Sequence, residues 1–291
     1  MQTDLRPAPW PSLFEPQRVF AEIATGPIQR VLDKETRREI AAVKNLSVKV
    51  AGALEHPKPL DTARPVLNAV LAAQYFELLT ALELPRRLRI YEPCVGASHP
   101  VLLAAEAHSQ GAASYLTINL NRKLCAELRR KIAHLKMAIQ IIEDNAQRAL
   151  ALIPAHGFDV ACFHHAINDI LQTAVSEPRG MDTTAIDWFP SERQMIEWLA
   201  EDSKSGRLEE RGKPELLQII GDAVRMVRPG GYLLFDHFNW HKFIGVDWFP
   251  WQLFYDFIPT TRRWIAESSL PVHELRFEGV DPQWWMVLQV E

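Results

Sequence analysis

Residues 88–163 alternate short apolar runs with longer segments of helical spacing. The runs at 88–91, 114–119, 138–142 and 158–163 suit buried strands, bounded by Gly, Pro, Asn and Asp. Between them, residues 122–135 set Leu124, Leu128, Ile132 and Leu135 on one helical face. Strands separated by helices at this rhythm predict parallel pairing and helices on both faces of a sheet. Further on, residues 214–227 carry Leu216, Leu217, Ile220 and Val224 along one side of a helix. The run Arg228-Pro229-Gly230-Gly231 is expected to end that helix before a fifth strand at 232–235. Residues 249–267 read as a helix interrupted at Pro259, and 272–277 with 284–290 as a closing hairpin. The expected fold is therefore Rossmann-like α/β, a mostly parallel sheet of seven strands.

Upstream, Pro7, Pro9, Pro11 and Pro16 mark an extended arm whose Trp10, Leu13 and Phe14 can dock on the body. Three helices are expected at 18–32, 34–55 and 63–84, with His56-Pro57-Lys58-Pro59 separating the last two. Residues 1–85 thus read as an arm and helical extension, either an appendage or a lid, ahead of an α/β domain at 86–291. Within that domain, 176–213 holds Pro178, Gly180, Pro190 and Gly206 and reads as an insertion near the rim, with a helix at 191–201.

Ligands of open parallel sheets bind beyond the carboxyl ends of the strands. Those ends carry Glu92, Asn119, Asp144, His164-His165 and Asp236-His237, a polar rim. The first is followed by Pro93-Cys94-Val95-Gly96-Ala97-Ser98, where Ser98 is placed to cap the helix opening at Pro100. Strand, tight turn and helix start bring backbone N–H groups against a ligand, although an ordinary connection reads the same way. One glycine stands where a dinucleotide loop wants three, so a nicotinamide-dependent oxidoreductase is disfavoured and a nucleoside without phosphates suits better.

Composition narrows the function classes. With 32 basic against 36 acidic residues the net charge is −4, which argues against a nucleic-acid partner. Cys94, Cys125 and Cys162 form no CxxC pair and suit a reducing compartment. No apolar run approaches a membrane span and no leader pattern opens the chain, so a cytoplasmic protein without a membrane partner is expected.

The ordered set of segments resembles the class I S-adenosylmethionine-dependent methyltransferases. It comprises 90–96 (Ile-Tyr-Glu-Pro-Cys-Val-Gly), Ile118-Asn119-Leu120, Glu143-Asp144-Asn145-Ala146, 158–164 and 226–235 (Met-Val-Arg-Pro-Gly-Gly-Tyr-Leu-Leu-Phe). The resemblance covers about residues 86–291 and implies six parallel strands with the last antiparallel. It further implies that Glu92, Cys94, Gly96 and Ser98 face the methionine end of the cofactor, that Asn119 with Leu120 holds the ribose, that Asp144 accepts from the adenine amino group beside Asn145 and Ala146, and that His164 opens the active-site strand end. Cys94 and Ser98 replace glycines, and Asn119 replaces an acid. A fold that kept its shape but lost catalysis, serving as a partner subunit, is the alternative these departures leave.

Methyl transfer asks the protein to position an acceptor and take its proton. His165 and Asp169, four apart, His237 and His241 are the candidate bases; capping by Asn168-Asp169 is the competing reading. Convergence of His164, His165, His237, His241, Asp169 and Asp236 on a metal is the weaker expectation, and none is expected. Eight of nine tryptophans fall after residue 187, which suits core packing, a homodimer face or an aromatic wall for the acceptor. The expected enzyme methylates oxygen or nitrogen of a small, aromatic-compatible molecule.

Overall fold

The computed structural model describes residues 12–54, 64–237 and 246–291. Trp10, His56-Pro57-Lys58-Pro59, Phe238, Trp240, His241 and Phe243, all used in the expectations above or beside them in the chain, lie outside those ranges.

Among the described residues five helices come first: α1 (Pro16–Ala24), α2 (Pro27–Val31), α3 (Lys34–Ala41), α4 (Leu46–Leu54) and α5 (Arg64–Ala81). The two helices expected over 18–32 and 34–55 are each divided. Pro27 cannot donate into a continuing helix and instead opens α2 at its first position. Asn45 takes a left-handed conformation (φ 56°) between α3 and α4. Asp33 caps α3 by accepting from the N–H groups of Glu35 and Thr36.

The α/β part follows as β1 (Arg89–Pro93), α6 (Pro100–Ser109), β2 (Ser114–Ile118), α7 (Arg122–Ile132), β3 (Ala138–Ile142), α8 (Ala149–Leu152), β4 (Phe158–His164), α9 (Ala166–Ser176), α10 (Trp188–Lys204), α11 (Arg207–Met226), β5 (Val227–Asp236), α12 (Trp251–Tyr255), α13 (Phe257–Ala266), β6 (Val272–Leu275) and β7 (Trp285–Val290). Among the described residues seven strands form one sheet in the order β3-β2-β1-β4-β5-β7-β6. The first five pair in parallel, and β7 runs antiparallel to both β5 and β6. This is the Rossmann-like sheet that the alternating pattern predicts, six strands one way and one reversed.

Side-chain alternation sends each central strand's residues to two cores. Tyr91, Phe163, Leu233 and Phe235 join α9, α11 and α13 on one face. Ile90, Tyr115, Val160, Cys162 and Leu234 join α5 and α6 on the other, where Leu71, Tyr75, Leu78 and Leu79 of α5 are buried. The helical extension is therefore part of the sheet's cover. Its strap continues at Leu13, whose N–H donates to the Glu278 carbonyl at 2.8 Å.

Several expected boundaries move. The Arg-Pro-Gly-Gly run lies within β5, where Phe158 pairs with Val227 but Val160 pairs with Tyr232, so 228–231 bulge out of the ladder. Arg228 anchors the bulge through Nε to Asp159 Oδ1 at 2.8 Å. Helix α11 begins at Arg207 with Pro214 inside it, since one missing N–H and a ring can be carried by a helix packed along its length. The break expected at Pro259 falls at Asp256, because Pro259 sits in the first turn of α13, where no intrahelical donor is needed. The insertion at 176–213 is mostly helical, through α10 and the start of α11.

Candidate active site at the carboxyl rim of the sheet

Between β1 and α6 the chain turns through two left-handed residues, Cys94 (φ 58°) and Gly96 (φ 63°). Gly96 costs no strain there, and a Cβ on it would meet Asp169 Oδ2 at 3.8 Å, so the turn lies against α9. Ser98 does not cap α6: the cap position is His99 and no side chain serves it. The Ser98 hydroxyl instead lies 3.1 Å from His164 Nε2. At the end of β2, Asn121 caps α7 as expected, accepting from the Leu124 N–H at 3.0 Å. Its amide also donates to the carbonyls of Thr183 and Ile186, tying the 183–186 loop to this rim.

Two cavities open above these turns. The smaller, with about 550 Å³ of empty space partly open to solvent, is lined by Cys94, Asn119, Leu120, Asn145 and Ala146, together with Thr173, Glu177, Glu215 and Ile219 from α9, α11 and the turn between α9 and α10. The larger, about 1200 Å³ on the same measure, is lined by Gly96, Ser98, His164, His165 and Asn168, with Arg64 and Leu71 of α5 and Phe189 and Glu192 of α10. Leu124, Asp169 and Trp188 line both, so the cavities are neighbours that share a wall. Of the residues anticipated from sequence, ten line this space: Cys94, Asn119, Leu120, Asn145 and Ala146 in the smaller part, Gly96, Ser98, His164 and His165 in the larger, and Asp169 in both.

Three do not. Glu92 is fully buried and accepts from the Tyr115 hydroxyl at 2.5 Å. Burial drives its carboxyl well above the usual carboxylate range, against the lowering effect of that hydrogen bond. Asp144 turns outward, where Arg148 Nη1 holds both carboxylate oxygens at 3.0 and 2.9 Å and the Asn145 N–H donates at 2.7 Å. His237 is buried on Phe254 and Phe257, ring centroids 5.9 and 4.8 Å away, and burial holds its imidazole well below the usual histidine range. Strand-end position alone names a residue; it does not say how deep the side chain lies, and Glu92, on the same sheet face as His164 and Asp236, stays buried below the rim.

Asp236 ties the rim together. It is completely buried at the end of β5, with His164 Nδ1 at 2.7 Å and the Tyr75 hydroxyl at 2.6 Å, both on Oδ2. Oδ1 lies 3.8 Å from His165 Nε2. Burial pushes the Asp236 carboxyl upward, but the neighbouring histidines and the two hydrogen bonds outweigh it and leave it below its ordinary value. His164, His165 and Asp236 each place one ligand-type atom within 4.8 Å of the others. Both His164 nitrogens already serve Asp236 and Ser98, so the cluster is a hydrogen-bonded set in this form. Tyr75, from the helical extension, carried no sequence signal: it lies 161 residues from its partner.

The donor set of the smaller cavity suits a neutral nucleoside. Asn119 Oδ1 accepts the Asn121 N–H at 2.9 Å, which leaves its amide Nδ2 as the group offered to a hydroxyl. Leu120, Ala146 and Ile219 give apolar walls for a flat ring. Among the described residues no cationic side chain lines this part, as phosphates would require.

No protein-family model matches the chain, and no curated protein does. Among solved structures the chain is similar to TrmN from Thermus thermophilus (12% identity, TM-score 0.40, 76% of this chain and 49% of that one). It is also similar to the CurJ carbon methyltransferase (11%, 0.43, 93% and 61%). A third is CrArsM, an arsenic(III) S-adenosylmethionine methyltransferase from Chlamydomonas reinhardtii (12%, 0.34, 70% and 64%). The chain thus spans about half of the first and under two thirds of the other two.

Proposed function

We propose that the chain is an S-adenosylmethionine-dependent methyltransferase acting on oxygen or nitrogen of a small molecule. The observation that carries this reading is the pair of adjoining cavities on the carboxyl rim, one suited to a nucleoside and one roomier and edged by titratable groups. Asn119, Leu120, Asn145 and Ala146 would hold the nucleoside half in the smaller cavity. The turn at 94–98 borders both cavities, and the acceptor would sit in the larger one between Trp188, Phe189 and the His165–Asp169 edge. When bound, the cofactor supplies an electrophilic methyl and a neutral thioether leaving group.

The chain's own residues then have two tasks. Trp188 is buried and Phe189 exposed, so together they form a wall for a planar acceptor. His165, in a left-handed conformation at the start of α9, lines the cavity with its Nε2 toward the Asp236 carboxylate. It is the acceptor's base: the proton passes to the imidazole, and the buried carboxylate stabilises the cation that forms.

The test is transfer of labelled methyl from S-adenosylmethionine to a panel of phenols, carboxylic acids and amines. Label appears in at least one class, and His165→Ala lowers kcat/KM by about 100-fold. Unchanged turnover in His165→Ala removes the base assignment. A protein that binds cofactor yet methylates nothing in the panel or in a metabolite extract overturns the enzymatic reading.

A further inference from the structure

The geometry points to a second chemistry on this rim: Ser98, His164 and Asp236 form a nucleophile–base–acid relay that hydrolyses small esters through an acyl-Ser98 intermediate. The inference needs no cofactor and does not rest on the methyl-transfer reading. Three elements far apart in sequence supply the relay: the β1–α6 turn, the end of β4 and the end of β5. Ser98 Oγ lies 3.1 Å from His164 Nε2, and His164 Nδ1 lies 2.7 Å from Asp236 Oδ2. The direction of the relay follows from its buried end. An ionised carboxylate only accepts, so Nδ1 carries the proton, Nε2 is the basic lone pair, and the Ser98 hydroxyl donates to it. This is the arrangement in which a serine can be deprotonated as it attacks.

The surroundings favour that use over a plain structural bond. Asp236 is fully buried and His164 nearly so, while Ser98 opens onto the larger cavity. Tyr75 gives Asp236 a second hydrogen bond on the same oxygen, which fixes the carboxylate's orientation.

The step balances without redox. Ser98 Oγ bonds to the ester carbonyl carbon as its proton passes to His164 Nε2. The carbon–alkoxy bond breaks and the alcohol leaves with that proton. Water then attacks the acyl-serine, giving its proton to His164; the acid departs and Ser98 recovers the proton.

The test uses the full chain without S-adenosylmethionine. A fluorophosphonate probe is followed by peptide mass spectrometry, and p-nitrophenyl acetate and butyrate hydrolysis is followed by release of p-nitrophenolate. The expected result is one label per chain on the peptide bearing Ser98, and hydrolysis lowered about 1000-fold in Ser98→Ala and His164→Ala. Ser98→Ala removes one hydroxyl oxygen only, and its circular dichroism and melting curve verify folding. Ser98→Cys supplies the second arm: with a working relay, iodoacetamide alkylates the introduced thiol faster in the native protein than in urea. Labelling elsewhere, hydrolysis that persists in Ser98→Ala, or an introduced thiol that reacts more slowly in the native protein than in the unfolded one overturns the proposal.

Discussion

The Tyr75 hydroxyl donates to Asp236 Oδ2 at 2.6 Å, joining the helical extension to the end of β5 inside the protein. Both side chains are completely buried. An extension that was only an appendage would have no such bond. Tyr75→Phe removes one of two donors from a buried carboxylate oxygen and should cost about 1–3 kcal/mol in urea unfolding. It should also let the Asp236 carboxyl rise, since this bond is one of the influences holding it down. A depressed carboxyl stabilises above its unfolded pKa and stops doing so as pH falls through the folded value, so the variant should lose stability earlier on acidification. A variant as stable as the parent from about pH 7 to about pH 3 would show the bond contributes nothing.

Glu92 sets the opposite sign. Its folded pKa stands well above the ordinary 4.5, so the folded state holds a proton that the unfolded state releases. Stability from this group is intact below about pH 4.5 and falls as pH rises toward the folded value. Glu92→Gln keeps an acceptor for Tyr115 and has no proton to hold. Its advantage over the parent should grow with pH above about 4.5, by up to about 1.4 kcal/mol per unit. Parallel stability curves for the two proteins would contradict the buried, protonated carboxyl.

Two glycines should respond differently to alanine. Gly96 is left-handed (φ 63°) and a Cβ there would make only an ordinary van der Waals contact with Asp169 Oδ2 at 3.8 Å, so Gly96→Ala carries backbone strain, about 1–2 kcal/mol. Gly279 (φ 81°) would place a Cβ against the Leu13 carbonyl oxygen, where no atom fits, so Gly279→Ala must also dislodge the strap at Leu13. Thermal melts should rank Gly279→Ala below Gly96→Ala. New proteolytic cleavage before Pro16 should appear only in Gly279→Ala.

Burial holds the Cys94 thiol at about 12 and the Cys125 thiol at about 11, and pushes Cys162 well above the ordinary thiol range. Little thiolate exists at about pH 8, so the native protein should react with iodoacetamide on the order of a hundredfold more slowly than in guanidinium. Rapid native labelling of Cys94 would mean the turn is open rather than packed against α9.

The fold was legible because each central strand is a short apolar run and each crossover keeps helical spacing. The rim was legible as a list of strand ends, of which Asn119, His164 and His165 line the two cavities. What sequence position did not carry was direction. Glu92 sits at a strand end but is held in the interior by the Tyr115 hydroxyl, and Asp144 is drawn outward by Arg148. Ser98 looked like a cap, yet His164 competes for its hydroxyl at the helix start. Tyr75 could not be found at all, because helical periodicity marks a buried face without naming what lies opposite.

Titration calorimetry with S-adenosylmethionine, S-adenosylhomocysteine and NADH tests the nucleoside site most directly, using the parent and Asn119→Leu. The account predicts one site per chain for the two adenosyl compounds, weakened at least about 10-fold in Asn119→Leu by loss of the amide donor, and no heat with NADH. Absence of binding by both adenosyl compounds at millimolar concentration, or equal affinity in the Asn119→Leu variant, would contradict it.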